Sequence, residues 1–314
     1  MIVTVTANPS LDRAVSLAAP LEVGEVQSAL GVREDAGGKG VNVSRVVAAA
    51  GTATLAVLPL ADQDPYAAAL AQTGIPVRAV PVRGHARANL TLADPQGATT
   101  KINLPGAELD PADADALIDT IVAATAGADW LVLAGSLPPG AGDDFYVRAI
   151  LAVRAAHGDA TPRIALDTSG AALAAAVAGA RPDLIKPNEH ELAELTGAAA
   201  DTRDIDGIIA LAQDLVGPRV GAALVTLGAA GALLVTEDGV WVGTAPRITA
   251  VSTVGAGDSS LAGYLLADVA GAEPAERLRM GMRYGAAAAS LPGTQPPTPA
   301  DLVTAEIPVQ RIIR

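Results

Sequence analysis

The chain opens on an apolar run, Ile2–Thr6, that stops at Asn8-Pro9, as a buried strand closed by a turn does. Runs of the same kind recur at 54–58, Trp130–Ala134, 163–166, 183–185 and Ala222–Thr226, and each predicts a strand sunk in a core. Between them the apolar positions take helical spacing over 41–50, 64–72, 111–126 and 189–195. Gly51 and Gly74 act as stops and Asp110-Pro111 as a start. Stretches 257–269 and 274–289 predict two late helices, and 233–236 with 240–243 flank Glu237-Asp238-Gly239 as the arms of a hairpin. Strands alternating with helices predict an α/β fold whose mostly parallel sheet is covered on both faces. Stretches 15–33 and 77–103 break the alternation with strand-like runs and a turn at Asp94-Pro95-Gln96-Gly97. They predict a small second sheet, a lid of about 13–35 and 77–104, inserted in one unit that spans 1–314.

Composition narrows the chemistry. Half of the 314 residues are hydrophobic but only 2% are aromatic, so alanine, valine and leucine must fill the core. The formal net charge of −13 argues against nucleic acid or an anionic membrane as partner. A phosphate ligand would need cations gathered locally. Without cysteine there is no disulfide, thiolate metal site or cysteine nucleophile, and no histidine pair stands at zinc spacing. The start lacks the basic and apolar regions of a signal peptide and no apolar stretch suffices for a membrane span, so a cytoplasmic protein is expected.

Segment Thr253-Val254-Gly255-Ala256-Gly257-Asp258-Ser259 is the most informative. A Gly-x-Gly turn opens a helix there, and a carboxylate stands in its first turn. First-turn N–H groups are unpaired and carry positive partial charge. Glycines let that backbone close on an anion. Donors that hold charge on a moving phosphoryl group, beside a carboxylate that takes the acceptor's proton, suit phosphoryl transfer. An ordinary helix start reads equally well from this segment alone.

Further segments leave similar alternatives. In Asp35-Ala36-Gly37-Gly38-Lys39-Gly40-Val41-Asn42, Asn42 can bond hydroxyls in a helix's first turn, or the glycines only cap that helix. The phosphate-loop spacing is absent. Asp12, in Asn8-Pro9-Ser10-Leu11-Asp12, can accept from two sugar hydroxyls or belong to an unliganded turn. Arg87 and Asn89 share a strand face, as do Lys101 and Asn103, which suits a grip on a phosphate or a solvated edge. Asn188 and Glu191 share the first turn of a helix after Lys186-Pro187, which fits hydrated magnesium or a plain helix cap. Thr226-Leu227-Gly228-Ala229-Ala230-Gly231 fits a nucleotide contact or a tight inter-strand turn.

In their order along nearly the whole chain, these segments resemble the ribokinase-like carbohydrate kinases, the phosphofructokinase B family. Gly135-Ser136-Leu137-Pro138-Pro139 and Leu166-Asp167-Thr168-Ser169-Gly170 add to the likeness. The resemblance implies a three-layer α/β/α sandwich with a small β-sheet lid, ATP and Mg2+ as cofactors, a small-molecule acceptor and a homodimer paired through the lid. It implies Asp258 as base and Gly255, Ala256 and Gly257 as the anion hole, with Gly257 also against the nucleotide. Asp12, Gly37, Gly38, Asn42 and Asn89 would surround the sugar, and Arg87, Lys39, Lys101 and Ser136 would serve its phosphate. Lys186, Asn188, Thr226, Gly228 and Gly231 would line ATP, and Asn188 and Glu191 would order magnesium through water. The opening Asn-Pro-Ser-Leu-Asp with Gly-Gly-Lys-Gly and Arg87-x-Asn89 looks like the branch that phosphorylates sugar phosphates. Fructose 1-phosphate, converted to fructose 1,6-bisphosphate, is the first acceptor expected, with tagatose 6-phosphate or fructose 6-phosphate next. A kinase of a free sugar or nucleoside is further off, and so is a non-catalytic sensor, because Gly-Ala-Gly-Asp is intact.

Overall fold

A computed structural model describes residues 1–198 and 204–312. The chain starts in β1 (Ile2–Thr6), leaves the core for β2 (Ser10–Leu17) and β3 (Ala29–Gly37), and returns through α1 (Lys39–Ala49), β4 (Thr54–Leu60), α2 (Pro65–Gln72) and β5 (Val77–Pro81). A second excursion, β6 (Arg87–Ala93) and β7 (Thr99–Asn103), precedes α3 (Pro111–Ala124), β8 (Trp130–Ala134), α4 (Phe145–His157) and β9 (Arg163–Asp167). Then come α5 (Gly170–Gly179), β10 (Leu184–Ile185), α6 (Glu189–Thr196), α7 (Ile205–Leu215) and β11 (Ala222–Thr226). The chain closes with β12 (Gly231–Thr236), β13 (Gly239–Thr244), α8 (Ala256–Val269), α9 (Pro274–Ala289) and β14 (Val309–Ile312).

The large sheet runs β14-β13-β12-β11-β10-β9-β8-β1-β4-β5, parallel from β11 to β5 and antiparallel at the other end. Period-two alternation divides its side chains between two layers. Val3, Val5, Leu131 and Leu133 enter the core that contains α3, α4, α5 and α7, whereas Ile2, Trp130 and Val132 face the core of α1, α8 and α9. This is the three-layer α/β/α sandwich the resemblance implied. The small sheet, ordered β3-β2-β6-β7, stands beside it as the lid. Val77–Pro81, expected within the lid, instead pairs in parallel with β4 and forms the edge of the large sheet. The lid's first part is likewise wider than expected, from Ser10 to Gly37.

The apolar-run reading passes over α4, α5, α7 and β14. Helix α5, GAALAAAVAG, contains no polar side chain, so it shows no amphipathic period to find. Helix α8 is buried nearly all round, because it lies between α1 and α9. Its far end is fixed by Asp268, which is buried and accepts from Trp130 Nε1 at 2.8 Å, Arg163 Nη1 at 2.9 Å and Arg277 Nη1 at 2.8 Å. A carboxylate so deep needs such partners. They tie α8 to the starts of β8 and β9 and leave its N-terminus at the carboxyl edge of the sheet.

Candidate active site

The parallel strands β1, β8, β9 and β10 all end at one edge, and α1 and α8 begin there. Gly38 puts no side chain on the first N–H groups of α1, and the Thr6 hydroxyl at the end of β1 accepts from Val41 N at 2.9 Å instead. Gly255 begins α8 with φ +77°, a left-handed conformation suited to glycine. No side chain caps α8, so its first-turn donors stay available to an anion. Asp258 lies in that turn, 7% exposed, and its Oδ2 accepts from Asn42 Nδ2 at 2.8 Å. Burial, with the nearby Asp167 charge second, pushes its carboxyl up to about 6, against the pull of Asn42, Lys39 and Lys186. A carboxylate of that basicity is poised to take a proton near neutral pH.

Asp167 is the site residue that sequence reasoning left without a role. It ends β9 with no exposed side-chain surface, its Oδ1 2.8 Å from Lys39 Nζ and its Oδ2 3.1 Å from Lys186 Nζ. Burial alone would raise its pKa, but the two lysines win and lower it. An acidic residue at the close of an apolar strand was the available signal. Lys39 was expected at a substrate phosphate. The structure places its ammonium on Asp167 and within the field of Asp258. Lys186 Nζ would lie 3.3 Å from a Cβ on Gly257, which puts a cation against the backbone of the first turn of α8.

The lid brings a second set over this edge. In register, Asp12 lies across from Asn89 on one side and Asp35 on the other, and Ser10 lies across from Arg87 and Gly37. Asp12 Oδ1 accepts from Ser10 Oγ and Asn89 Nδ2, both at 2.8 Å, and its carboxylate fills the space that a side chain on Gly37 would need. Burial raises its pKa, opposed by Ser10, Asn89 and Arg87. The Arg87 side chain makes no hydrogen bond or ion pair with any described residue, and its Nε is sealed from water. Asn42 Oδ1, Arg45 Nη1, Asn89 Oδ1 and Thr168 Oγ1 are also buried without partners. Such atoms are costly unless something fills them, and Asn42 beside Asp258, with Asn89 and Arg87 beside Asp12, mark a place that suits a polar ligand. Lys101 shares the face of Asn89 but stands opposite Thr91, exposed, about 13 Å along the strand from Arg87 at 3.3 Å per residue. The structure does not bring Lys101 to Arg87.

On the other side of Asp258, Asn188 and Glu191 form a capping box. Asn188 Oδ1 accepts from Glu191 N at 2.8 Å, and Glu191 Oε2 accepts from Asn188 N at 2.9 Å. The plain helix cap is therefore present, and one oxygen of each residue is committed to it. The glutamate's second oxygen stays uncommitted, and its charge is felt at Lys39. Among the described residues no three acidic or histidine side chains stand at ligating distance. Thr226 is brought to this side, because its N–H donates to Pro187 O at 3.0 Å. Gly228 faces open space, whereas Gly231 has the carbonyl of Gly243 where a side chain would go, so its glycine serves the sheet turn.

A buried carboxylate beside uncapped helix N–H groups, two lysines tied by one aspartate and a polar lid suit phosphoryl transfer on a ribokinase-like fold. The sequence agrees over most of its length. Residues 6–301 match the model of the pfkB family carbohydrate kinases, and the chain belongs to that family. It is 37% identical over 305 residues to a 1-phosphofructokinase of Rhodobacter capsulatus, covering 96% of this chain and 94% of the relative. It is 33% identical over 299 residues, 93% and 85% of the two chains, to an ATP-dependent 6-phosphofructokinase isozyme 2 of Mycobacterium tuberculosis. A crystal structure of Escherichia coli phosphofructokinase-2 with substrates and products superposes with a TM-score of 0.87 at 30% identity, covering 96% of each chain.

Proposed function

We propose that the protein transfers the γ-phosphoryl group of ATP to a hydroxyl of a ketose phosphate, fructose 1-phosphate before others, giving fructose 1,6-bisphosphate in the cytoplasm. The observation that carries the phosphorylated acceptor is Arg87. It is a guanidinium without a partner beside Asp12 in a chain of net charge −13, and it calls for an anion. Relatives 36% and 37% identical over most of the chain are named 1-phosphofructokinase.

In this reading Asp12, Asn42 and Asn89 hold the sugar hydroxyls against Gly37 and Gly38, and Arg87 with Ser136 holds the phosphate. Asp258 takes the proton from the attacking hydroxyl. The N–H groups of the Gly255-Ala256-Gly257 turn, with Lys186 beside them and Lys39 across Asp167, carry the negative charge of the moving phosphoryl group. ATP lies along Thr226, Gly228 and Lys186. Asn188 and Glu191 offer oxygen donors of the hardness magnesium prefers, and their engagement in the cap fits contact through the metal's water shell. Magnesium there would neutralise phosphate charge.

The lid's outward face supports a homodimer. Val15, Val32 and Leu92 are cross-strand partners on that face, and Val32 and Ile102 are 60% and 44% exposed. A solved relative is titled a tetrameric inhibited phosphofructokinase-2 of Escherichia coli, so assembly occurs on this fold. A coupled ADP-release assay across fructose 1-phosphate, fructose 6-phosphate, tagatose 6-phosphate and ribose tests the substrate. The highest kcat/KM on ribose would refute the reading. Fructose 6-phosphate is the second reading, favoured by a solved relative at 29% identity that holds that sugar.

A further inference from the structure

Asn8 has no part in the chemistry above, yet it sits where three segments meet. It leaves β1 for the lid, and its Nδ2 donates to Ser136 Oγ at 3.3 Å and to the Leu137 carbonyl at 3.4 Å, in the turn after β8. Its Oδ1 lies 2.5 Å from where a Cβ on Gly106 would stand, in the segment that returns from β7 to α3. The same point is 3.7 Å from Arg87 Cβ. Gly106 does not have a positive φ, so its lack of a side chain makes room for Asn8. One amide thus bonds the Ser136 turn and stands where a side chain on Gly106 would meet both Asn8 and Arg87.

The direction of the first hydrogen bond has a chemical consequence. A hydroxyl that accepts from an amide N–H keeps its own proton free to donate elsewhere. Ser136 is exposed at the cleft, so that proton is available to an anionic oxygen. An aspartate at position 8 would reverse the bond, engage the serine proton and add negative charge.

We propose that Asn8 is a positioning residue that holds Ser136 and Arg87 as two halves of one phosphate subsite, and so makes the enzyme selective for phosphorylated acceptors. This rests on the sugar-phosphate reading and deepens it. The test measures KM and kcat for fructose 1-phosphate and for free fructose, with KM for ATP and Tm, in wild type and in Asn8→Asp, Asn8→Ala, Ser136→Ala and Gly106→Ala. Loss of a hydrogen bond to a charged group should raise KM for fructose 1-phosphate roughly tenfold or more in each. In Asn8→Ala and Gly106→Ala, free-fructose kinetics and KM for ATP should stay within about twofold, and Asn8→Ala with Ser136→Ala should cost no more than Asn8→Ala alone. Independent multiplication of the two effects would overturn the proposal, as would equal damage to both sugars. Ser136→Ala and Gly106→Ala keep the test open if the Asn8 variants fold poorly. A wild type that does not prefer the phosphorylated sugar would overturn the underlying reading instead.

Discussion

Replacing Asp258 by asparagine should destroy activity and stabilise the fold, and both effects have one cause. The carboxyl is buried in α8 with a pKa of about 6 against 3.8 for an ordinary aspartate. The folded protein therefore binds that proton more tightly than the unfolded chain does. This favours folding at pH values below about 4, and the advantage is lost as pH rises through about 6. A shift of roughly 2 pK units corresponds to about 3 kcal/mol of strain from the ionised form at pH 8. Asparagine keeps the shape and can still meet Asn42, but it has no charge to desolvate. Asp258→Asn should raise Tm by about 6 °C at pH 8, taking roughly 2 °C per kcal/mol for a chain of this length. About half the gain should remain at pH 5, where the folded carboxyl is already mostly protonated. Meanwhile kcat should fall by roughly 10²–10⁴-fold, the usual worth of a general base, with small changes in either KM. Scanning calorimetry at the two pH values and steady-state kinetics at pH 8 decide it. A variant that keeps most of its kcat refutes the base assignment. A Tm gain equal at both pH values refutes the electrostatic origin.

Four other outcomes follow from the same geometry. Arg87→Ala should raise KM for fructose 1-phosphate about 10- to 150-fold, the worth of a charge-assisted bond of roughly 1.5–3 kcal/mol, with KM for ATP unchanged; parallel loss on free fructose would make Arg87 structural. Glu191→Gln keeps an oxygen for the capping box, so Tm should hold while the magnesium needed for half-maximal rate rises; an unmoved magnesium titration refutes the role. Asp167→Asn should shift the acidic limb of the kcat profile below 6, because the Asp167 charge helps hold the Asp258 pKa up; a limb left at 6 or moved higher contradicts that coupling. Val32→Asp with Ile102→Asp should give monomers in sedimentation velocity if the lid face pairs subunits, and dimers of wild-type affinity would exclude it.

Much of this was legible because strands buried on both faces read as apolar runs whatever surrounds them. Trp130–Ala134 and Ala222–Thr226 fall on their predicted bounds. The Gly-x-Gly and aspartate at the start of α8 are visible because a helix start left open to an anion must be built from backbone. What sequence could not show is which cation meets which carboxylate. Lys39 stands in a glycine turn that suggested a substrate phosphate, but Asp167, 128 residues later, takes its ammonium. Lys101 shares a strand face with Asn103, and period two says nothing of how far along the lid that face reaches the cleft. Val77–Pro81 reads like a lid strand, since an edge strand of the large sheet and a strand of the small one carry similar alternation.

The two buried aspartates at the sheet edge divide the work because their surroundings push them apart. Asp167 touches two ammonium groups, so it stays ionised and its charge is spent on holding them in place. Among the described residues the Asp258 carboxylate is hydrogen-bonded only by the Asn42 amide, and burial holds its proton affinity up. Two carboxylates with identical intrinsic chemistry thus acquire opposite tendencies, and the one without a direct cation is the one able to accept a proton. The same arrangement places Lys186 beside the Gly257 backbone, where phosphoryl charge would be held, and keeps both lysines out of contact with the carboxylate proposed as the base. If Asp258 had paired with Lys39 directly, its pKa would have dropped and its basicity with it. Asp167 therefore supports the proton affinity of Asp258 as well as holding the lysines.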